Sequence, residues 1–423
     1  MQSDWPRCLL EDLAASQQGA IAIGPFGSRL KTDLYTEHGV ALIRGTNLAG
    51  SKFFAGEFVY VSEETARGLG NANVKPWDLV FPHRGNIGAV GLVPEGSQRY
   101  ALSTSLMKVT LDRKRADPLF LYYFFRSPQG QAELLKNASQ VGTPGIATPL
   151  TSLRACVVPV PPVEEQVPAA QLLSLLDDRI DLLRQTNATL ESIAQALFKS
   201  WFIDFDPVRA KAEGREPLGL DAATAALFPA EFEESALGVI PKGWRVGPVE
   251  ELFVLQRGFD LPASQRTDGR YIVFAASGPH GTHAEAMAKG PGVVTGRSGV
   301  IGKVFFAHDD YWPLNTALWV KEFKRASPAF AFQFLQTMDL MRLNAGSAVP
   351  SLNRNHVHVQ MAVIPPVELV SAFTALAMPL LQRVHANETH AARLSALRDT
   401  LLSRLISGKL RLTEAREQVE EVI

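Results

Sequence analysis

Two short loops in this sequence carry side chains that suit contact with DNA. Residues 84–86 read Arg-Gly-Asn and residues 297–299 read Arg-Ser-Gly. Arginine suits guanine edges and phosphates, asparagine suits adenine edges, and glycine lets a backbone approach a neighbour closely. Either loop alone is better explained as a β-turn whose arginine faces solvent. Because the pattern recurs, we predict that DNA is contacted by Arg84, Asn86, Arg297 and Ser298.

A second pair of segments offers hydroxyl and amide groups. Residues 101–106 resemble residues 313–318 at an offset of 212, whereas the arginine loops correspond at an offset of 213. Hydroxyl and amide groups can bond phosphates or base edges, but they can equally close a turn. On this weaker basis we add as candidate DNA contacts Thr104, Asn315 and Thr316.

The sequence lacks the fingerprints of the common catalytic sites, including the phosphate-binding loop, the paired-histidine zinc motif and the nucleophile elbow. Asp112-x-Lys114 and Glu322-x-Lys324 could form the metal-binding end of a nuclease core. Such triplets are common by chance, and both precede a proline in a polar stretch that suits a solvated turn. We therefore predict no catalytic residue in this chain.

Four histidines raise the question of a metal site. His280 lies close to His283 in the sequence, and His356 lies close to His358. A zinc site normally adds cysteine or carboxylate ligands at fixed spacing, and none accompanies these pairs. We predict that they are ordinary surface or core histidines and that the chain holds no metal.

The candidate loops lie within two lobes that are predicted to be β-rich. Short apolar runs bounded by Gly, Pro, Asn and Ser are typical of strands joined by turns, and they occur at residues 79–81, 88–93, 106–111, 292–295 and 303–307. Two aromatic-rich segments that begin with a proline, residues 118–126 and 328–338, are predicted to be helices. Each lobe is then α+β, with a mainly antiparallel or mixed sheet.

Each lobe is followed by a long helical pattern that begins at a Pro-Pro pair. Residues 161–162 and 365–366 correspond at an offset of 204, and the match continues without a gap to the middle of both patterns. A proline pair suits a helix start, and the glutamates that follow complement the helix dipole. We predict one helix from about Val163 and a second from about Val367.

Apolar residues recur in both helices with the seven-residue spacing of a coiled coil. In the second helix Asn387 stands where Leu183 stood, and Arg398 stands where Ala194 stood. One such seam could equally be a buried helix of an ordinary domain, but two matching seams favour pairing with each other. The predicted seam comprises Leu176, Ile180, Leu183, Asn187, Leu190 and Leu197 with Leu380, Val384, Leu394 and Leu401.

These patterns predict an α+β protein with two β-rich lobes separated by two long antiparallel coiled-coil helices and related by a pseudo-twofold axis. The predicted segments are a first lobe (1–160), a first helix (161–203), a connector (204–241), a second lobe (242–364), a second helix (365–408) and a polar tail (409–423).

Composition and charge set broad limits on the partners. Of the 423 residues 46% are hydrophobic, and Cys8 and Cys156 are the two cysteines. The first residues lack the build of a secretory signal, so we expect a cytoplasmic protein with reduced thiols. No uninterrupted apolar run could span a bilayer, so no membrane contact is expected. The net charge is −8 over residues 164–241 and +3 over each of the ranges 1–163 and 242–368, which permits local contact with nucleic acid.

Several stretches together resemble the specificity subunit of a type I restriction-modification system. Besides the two Pro-Pro-x-Glu helix starts, they are residues 24–28, 197–208, 240–244 and 402–410, and the likeness covers nearly the whole chain. The second lobe departs from the family near residues 256–258, where only Gln-Arg-Gly stands in place of the Gly-Pro-Phe-Gly-Ser of the first lobe.

The resemblance implies that each lobe is a target-recognition domain that reads one half of a split double-stranded DNA site. It also implies that the helices set the spacing and dock methyltransferase subunits, with restriction/translocase subunits completing the complex. Catalysis and the cofactors S-adenosylmethionine, ATP and magnesium are then expected in those partners, and no cofactor is expected in this chain. Because the lobes differ in sequence and length, we expect an asymmetric site.

Two alternatives remain open at this point. A two-lobed protein-binding adaptor with a coiled-coil spacer would suit the near-neutral charge, and an enzyme that acts alone ranks third. Salt dependence distinguishes a DNA-binding protein from the adaptor, because DNA binding through phosphates weakens steeply as the salt concentration rises.

Overall fold

A computed structural model of the protein describes residues 5–26, 29–48, 50–139 and 142–422. The chain divides into two compact units, which we call unit 1 (Met1–Leu182 with His390–Ile423) and unit 2 (Leu183–Thr389). Each unit therefore contains one lobe and part of each long helix. Gly27 and Ser28, within the first family-like stretch, lie outside the described residues.

The strands agree with the predicted β-rich lobes. Unit 1 contains β1 (Arg7–Leu9), β2 (Ile21–Ile23), β3 (Tyr35–Thr36), β4 (Val40–Ile43), β5 (Val59–Val61), β6 (Leu79–Pro82), β7 (Gly91–Leu92), β8 (Tyr100–Leu102), β9 (Leu106–Val109), β10 (Ala138–Ser139), β11 (Gly145–Ile146) and β12 (Val157–Pro159). Unit 2 contains β13 (Phe232–Ser235), β14 (Gly238–Pro241), β15 (Arg245–Pro248), β16 (Phe253–Arg257), β17 (Tyr271–Ala275), β18 (Gly278–His283), β19 (Gly292–Gly296), β20 (Val304–Ala307), β21 (Tyr311–Pro313), β22 (Ala317–Phe323) and β23 (Met361–Ile364).

The helices include both long ones, which begin at the predicted residues. They are α1 (Glu63–Gly68), α2 (Pro118–Arg126), α3 (Pro128–Leu135), α4 (Pro149–Arg154), α5 (Val163–Phe202), α6 (Asp206–Ala212), α7 (Ala222–Ala226), α8 (Pro328–Thr337), α9 (Arg354–His358), α10 (Val367–Ile406) and α11 (Leu412–Glu420). The aromatic helices α2 and α8 begin at their prolines because Asp117 and Ser327 cap them, each accepting a hydrogen bond from a first-turn amide.

Both units repeat one strand arrangement, which confirms the predicted internal repeat. A four-stranded antiparallel sheet has the order β2-β9-β6-β7 in unit 1 and β16-β22-β19-β20 in unit 2. A second sheet contains a parallel pair, β4 with β8 and β17 with β21, so each lobe has a mixed sheet. The pairs β1-β12 and β15-β23 bring the start of each lobe to the strand that leads into its long helix.

The two long helices pack against each other and run antiparallel. In unit 2 the Nδ2 of Asn387 donates to the Oδ1 of Asn187 over 2.8 Å, and the ring centroids of Phe198 and Phe373 lie 5.6 Å apart. In unit 1 the Nη1 of Arg398 lies 2.6 Å from the Oδ1 of Asp177. The two residues that interrupt the predicted seam thus each meet a polar partner on the other helix.

The predicted seam is buried over most of its length but shifts by one residue at two places. At most 6% of the surface is exposed for Leu176, Ile180, Leu183, Val384, Leu394 and Leu401. Half-buried members are Asn187, Leu190, Leu197 and Leu380. Phe198 is more deeply buried than the neighbouring Leu197, and Leu381 is more deeply buried than the neighbouring Leu380. An α-helix has 3.6 residues per turn, so its contact row drifts away from a strict seven-residue repeat.

The connector and the tail are more ordered than the sequence suggested. Residues 204–241 contain α6, α7 and the β13-β14 hairpin, and Phe205, Val208 and Phe228 belong to the core of unit 2. Residues 409–423, expected to be a polar tail, contain α11, whose Ala415 and Val419 are buried. The reason is the spacing of these apolar residues, which lie one turn apart on one helix face.

Helix α10 includes an 18-residue window that is apolar enough to span a membrane by length and composition alone. The sequence-based argument considered uninterrupted apolar runs and did not detect this window. In the structure Leu369, Val370 and Phe373 of this helix are buried in the core of unit 2, and 33% of the apolar window is buried.

Candidate nucleic-acid interface

In unit 1 three loops converge at one edge of the four-stranded sheet. The end of β2, the start of β9 and the end of β6 lie side by side there, since the amide of Gly24 donates to the carbonyl of Leu106 over 2.8 Å and the amide of His83 donates to that of Ser105 over 2.9 Å. A Cβ at Gly24 would lie only 1.9 Å from the carbonyl oxygen of Ser103, so only glycine permits this approach.

The arginine loop of unit 1 is supported by a segment that the sequence analysis did not single out. The amide of Gly85 donates to the carbonyl of Pro144, and the amide of Ile146 donates to the carbonyl of His83, both over 2.9 Å. Gly85 has a φ of 84°, which favours glycine. Residues 142–146 therefore belong to the same edge as Arg84.

Unit 2 builds the same edge with the same backbone contacts. The amide of Gly258 donates to Ala317 over 3.1 Å, and the amide of Gly299 donates to Pro350 over 2.9 Å. A Cβ at Gly258 would lie 2.3 Å from the carbonyl oxygen of Leu314. Gly258 thus occupies the place of Gly24, so the entry loop of the second lobe matches the first in structure although its sequence departs from it.

These contacts correct the predicted correspondence between the loops by one residue. The equivalent isolated β-bridges join Arg84 to Gly145 and Ser298 to Ser351, so Arg84 corresponds to Ser298 and not to Arg297. The glycines with positive φ fix this register, because they shape the turn whichever side chains flank them.

The same shift applies to the second pair of candidates. The carbonyl of Thr104 accepts from the His83 ring and that of Asn315 accepts from Arg297, so Thr104 corresponds to Asn315 and not to Thr316.

The predicted contact residues of unit 1 point outward. Arg84, Asn86 and Thr104 are exposed. Their side chains make no hydrogen bond or ion pair with any residue that the structure describes. A guanidinium group, an amide and a hydroxyl are thus grouped at one edge and available to a ligand.

The predicted contact residues of unit 2 are partly engaged within their own lobe. The Nη1 of Arg297 donates to the carbonyl of Asn315 over 2.9 Å, the amide of Asn315 donates to Asp260, and the hydroxyl of Thr316 accepts from the amide of Ala276 over 3.3 Å. Ser298 is half-buried beside them. Several of the side chains predicted to contact DNA therefore also hold their own loops in place.

Other side chains complete the exposed edge of unit 2. Arg257 is exposed at the end of β16, and Val300 and Val349 are 38% and 55% exposed in the two neighbouring loops. Apolar groups at such an edge suit contact with the thymine methyl group. A sequence signal for the second loop existed, because Pro144 and Pro350 recur at an offset of 206.

His83 in unit 1 and Arg297 in unit 2 occupy equivalent positions of the repeat but are residues of different charge. Burial lowers the pKa of His83 below its usual value, and the nearby Arg84 lowers it further. The lowered pKa favours the neutral form of the His83 ring at pH 7, whereas an arginine side chain carries a positive charge. The two edges share one backbone but differ in charge.

Three of the other candidates, Asp112, His283 and His358, have structural roles. The carboxylate of Asp112 accepts from the amide of Lys114 over 3.0 Å, which closes a turn. The Nε2 of His358 accepts from the amide of Leu255 over 2.8 Å, and the Nδ1 of His283 accepts from Thr267 over 3.1 Å. Within the described residues, no group of three or more His, Cys, Asp and Glu side chains could hold a metal ion.

The known proteins that this chain resembles in sequence are specificity subunits of type I restriction enzymes. A family profile described as the type I restriction modification DNA specificity domain matches residues 31–192. The specificity subunit of the type I restriction enzyme MjaIX from Methanocaldococcus jannaschii is 26% identical over 70% of this chain and 69% of its own length. The specificity subunit of the type I restriction enzyme HindI from Haemophilus influenzae is 23% identical over 96% of this chain and 100% of its own length.

The fold is also found in a solved structure. The crystal structure of the S subunit of a type I restriction-modification system from M. genitalium matches with a TM-score of 0.64 and 15% identity, covering 95% of this chain and 96% of that one.

Proposed function

We infer the function of this chain from one premise: it belongs to the family of specificity subunits of type I restriction-modification systems. It is thus a DNA sequence-specificity subunit. From that premise we propose that each lobe reads one half of an asymmetric bipartite site, the first through the edge at Arg84 and the second through the edge at Arg297.

The observation that carries this proposal is the pair of equivalent edges with unlike side chains. Both edges use the same strand ends, the same close glycine approach and the same pairing with a proline-containing loop. The side chains at equivalent positions differ, as His83 and Arg297 do. One backbone scaffold with two sets of contact groups suits the reading of two different half-sites.

We further propose that α5 and α10 set the distance between the half-sites and dock methyltransferase subunits, to which restriction/translocase subunits are added. S-adenosylmethionine, ATP and magnesium then belong to those partners, and this chain contributes recognition without catalysis. A cytoplasmic location follows from partners and substrate that are found there. The support for these points is the family membership together with the continuous long helices.

The test is selection of bound duplexes from a random pool, with this chain mixed with its candidate methyltransferase subunit. We expect enrichment of two short, unlike motifs at a fixed spacing. Exchange of one lobe should then change one motif only. Enrichment of a palindrome would contradict the asymmetric site, and no enrichment by an intact complex would favour the protein-binding adaptor.

A further inference from the structure

Unit 2 contains a cavity of about 410 Å³ that no part of the proposed DNA recognition uses. It lies where α8 and the strands β20 and β21 meet α5 and α10. Its walls include the aromatic rings of Phe305, Phe306 and Phe332. A cavity of this size with apolar walls and a few polar groups is typical of sites for small molecules.

Two deeply buried polar side chains line this cavity. Gln333 is 2% exposed and Tyr311 is 1% exposed. The Tyr311 hydroxyl is fully buried and has no hydrogen-bond partner among the described residues. Burial of such a group without a partner costs about 1–3 kcal/mol, so this hydroxyl, with the Gln333 amide in the same wall, indicates a polar ligand.

The charge around the cavity selects the sign of that ligand. Carboxylates line it from α5 at Glu191, from α10 at Glu388 and from the loop between β20 and β21 at Asp309 and Asp310. Among these, Asp310 is already paired with Lys289, outside the lining.

The cationic groups at the cavity are few. The guanidinium of Arg270 donates to the hydroxyl of Tyr271. His308 and His385 stack with ring centroids 4.3 Å apart, and His385 lies 3.5 Å from Asp309. The carboxylates of Glu191 and Glu388 have no hydrogen-bond partner among the described residues, so negative charge predominates.

The corresponding place in unit 1 contains cations that belong to the chain itself. There the carboxylate of Asp177 accepts hydrogen bonds from the hydroxyl of Tyr123 over 2.8 Å, from Arg126 over 3.1 Å and from Arg398 over 2.6 Å. Two guanidinium groups and a hydroxyl thus surround one carboxylate between α2 and the two long helices.

Unit 2 lacks these cations at the same repeat positions. The offset is 210 between α2 and α8 and 204 between the long helices. The counterparts of Tyr123, Arg126, Asp177 and Arg398 are therefore Gln333, Gln336, Leu381 and Ala194. Gln333, Gln336 and Leu381 line the cavity, and Ala194 stands between Glu191 and Gln195, which also line it.

We propose that the cavity of unit 2 binds a small organic cation, a guanidinium or primary ammonium group on an apolar chain, in the place that arginine side chains occupy in unit 1. The cationic head lies between the carboxylates of Glu191 and Glu388, where charge-assisted hydrogen bonds are strongest. The apolar chain packs against Phe306 and Phe332, and the Gln333 amide oxygen accepts from the head. This site is separate from the proposed DNA contacts.

The experiment is a titration of the full chain with n-butylguanidinium, followed by calorimetry and by the melting temperature. We expect a dissociation constant of about 1 mM or tighter, as suits so small a ligand, and a rise in melting temperature. The neutral isostere n-butylurea should bind at least about tenfold more weakly. Glu191→Gln with Glu388→Gln should weaken the cation by about tenfold, since both carboxylates are lost.

The matched control is Glu216→Gln, an exposed glutamate of the connector, which should leave binding unchanged. Both cavity glutamates are also exposed, so their loss should not prevent folding. Equal binding of the cation and the urea would overturn the proposal. So would an absence of binding at about 10 mM, or unchanged affinity in the double variant.

Discussion

The two units share one strand arrangement, but the lobe contacts the long helices through polar groups in unit 1 and through aromatic rings in unit 2. In unit 1 a buried polar network links α2 with the long helices through Asp177. Next to it the side-chain oxygen of Gln166, which is 1% exposed, accepts a hydrogen bond from the amide of Asp117. In unit 2 Leu381 and Val370 stand at the positions of Asp177 and Gln166. An aromatic cluster that includes Phe198, Phe330 and Phe373 makes the contact instead.

The difference shows that a repeated backbone does not require a repeated interface. The hydrophobic contribution of this aromatic cluster is non-directional, so the contact tolerates adjustment of one element against another. A buried ionic network needs each donor and acceptor in place, and removal of one partner leaves an uncompensated charge. Unit 1 should therefore respond more sharply than unit 2 to the loss of a single side chain at this contact.

The largest expected effect is that of Arg398→Ala in unit 1. It removes one of the two cations beside Asp177, and we expect the free energy of unfolding to fall by about 2–3 kcal/mol because Arg126 and Tyr123 only partly compensate the carboxylate. The measurement is the urea midpoint. Arg393→Ala on the exposed face of the same helix is the control, and an equal loss in both variants would refute the network's contribution.

The next effect concerns the asparagine pair of unit 2. Asn387→Leu leaves the Oδ1 of the half-buried Asn187 without its donor, so we expect a loss of about 1–2 kcal/mol in urea unfolding. The double change Asn187→Ala with Asn387→Leu introduces the residue types found at the repeat positions 391 and 183 and should recover most of that loss. If the double variant were less stable than Asn387→Leu, the pair would not act as a unit.

A third comparison separates DNA contact from loop support. Arg84→Ala should weaken DNA binding by about 1–3 kcal/mol without changing the melting temperature, because its guanidinium has no partner in the described structure. Arg297→Ala should lower both, since Arg297 also holds the carbonyl of Asn315. Binding is measured by fluorescence anisotropy at several salt concentrations. Wild-type affinity and sequence preference in both variants would exclude these loops from the interface.

The smallest expected effect is a pH dependence within unit 2. Burial, with His385 close by, lowers the pKa of His308 to about 4. As the pH falls, the His308 ring is therefore protonated in the unfolded chain before it is protonated in the folded protein. Stability from His308 is present above its ordinary pKa of 6.5 and is lost as the pH falls towards about 4. The half-buried ring is screened, so we expect less than about 1 kcal/mol.

The check on this pH effect is the urea midpoint between about pH 7 and about pH 5. His308→Gln should show a shallower pH slope than the wild type, whereas His38→Gln, at an exposed site, should show the same slope. Identical slopes for His308→Gln and the wild type would show that His308 does not contribute to the pH dependence of stability.

The large features of the fold could be predicted from the sequence because they depend on local signals. A proline pair followed by glutamate fixes the starts of α5 and α10, and proline after a capping residue fixes those of α2 and α8. Apolar runs between turn residues locate β6, β9, β19 and β20 to within a few residues. The repeat then connects the two lobes without any knowledge of long-range contacts.

The candidate site could be predicted only in part because its register depends on long-range contacts. The arginines suggested one alignment, but Gly85 and Gly299 set another by one residue, through bonds to Pro144 and Pro350. Nothing local in the sequence indicates those bonds. The partner of Arg398 was equally hidden, since Asp177 stands 221 residues earlier in the chain.

The composition of the units has a consequence for the order of events at the ribosome. Unit 2 is one continuous stretch, Leu183–Thr389, and all of its residues have been synthesised before the last part of unit 1 begins. The first lobe emerges earlier but gains Arg398 only after the whole of unit 2 has been translated. Asp177 can meet Arg126 early, but its second guanidinium partner, Arg398, arrives only near the end of synthesis, so unit 2 can finish folding first.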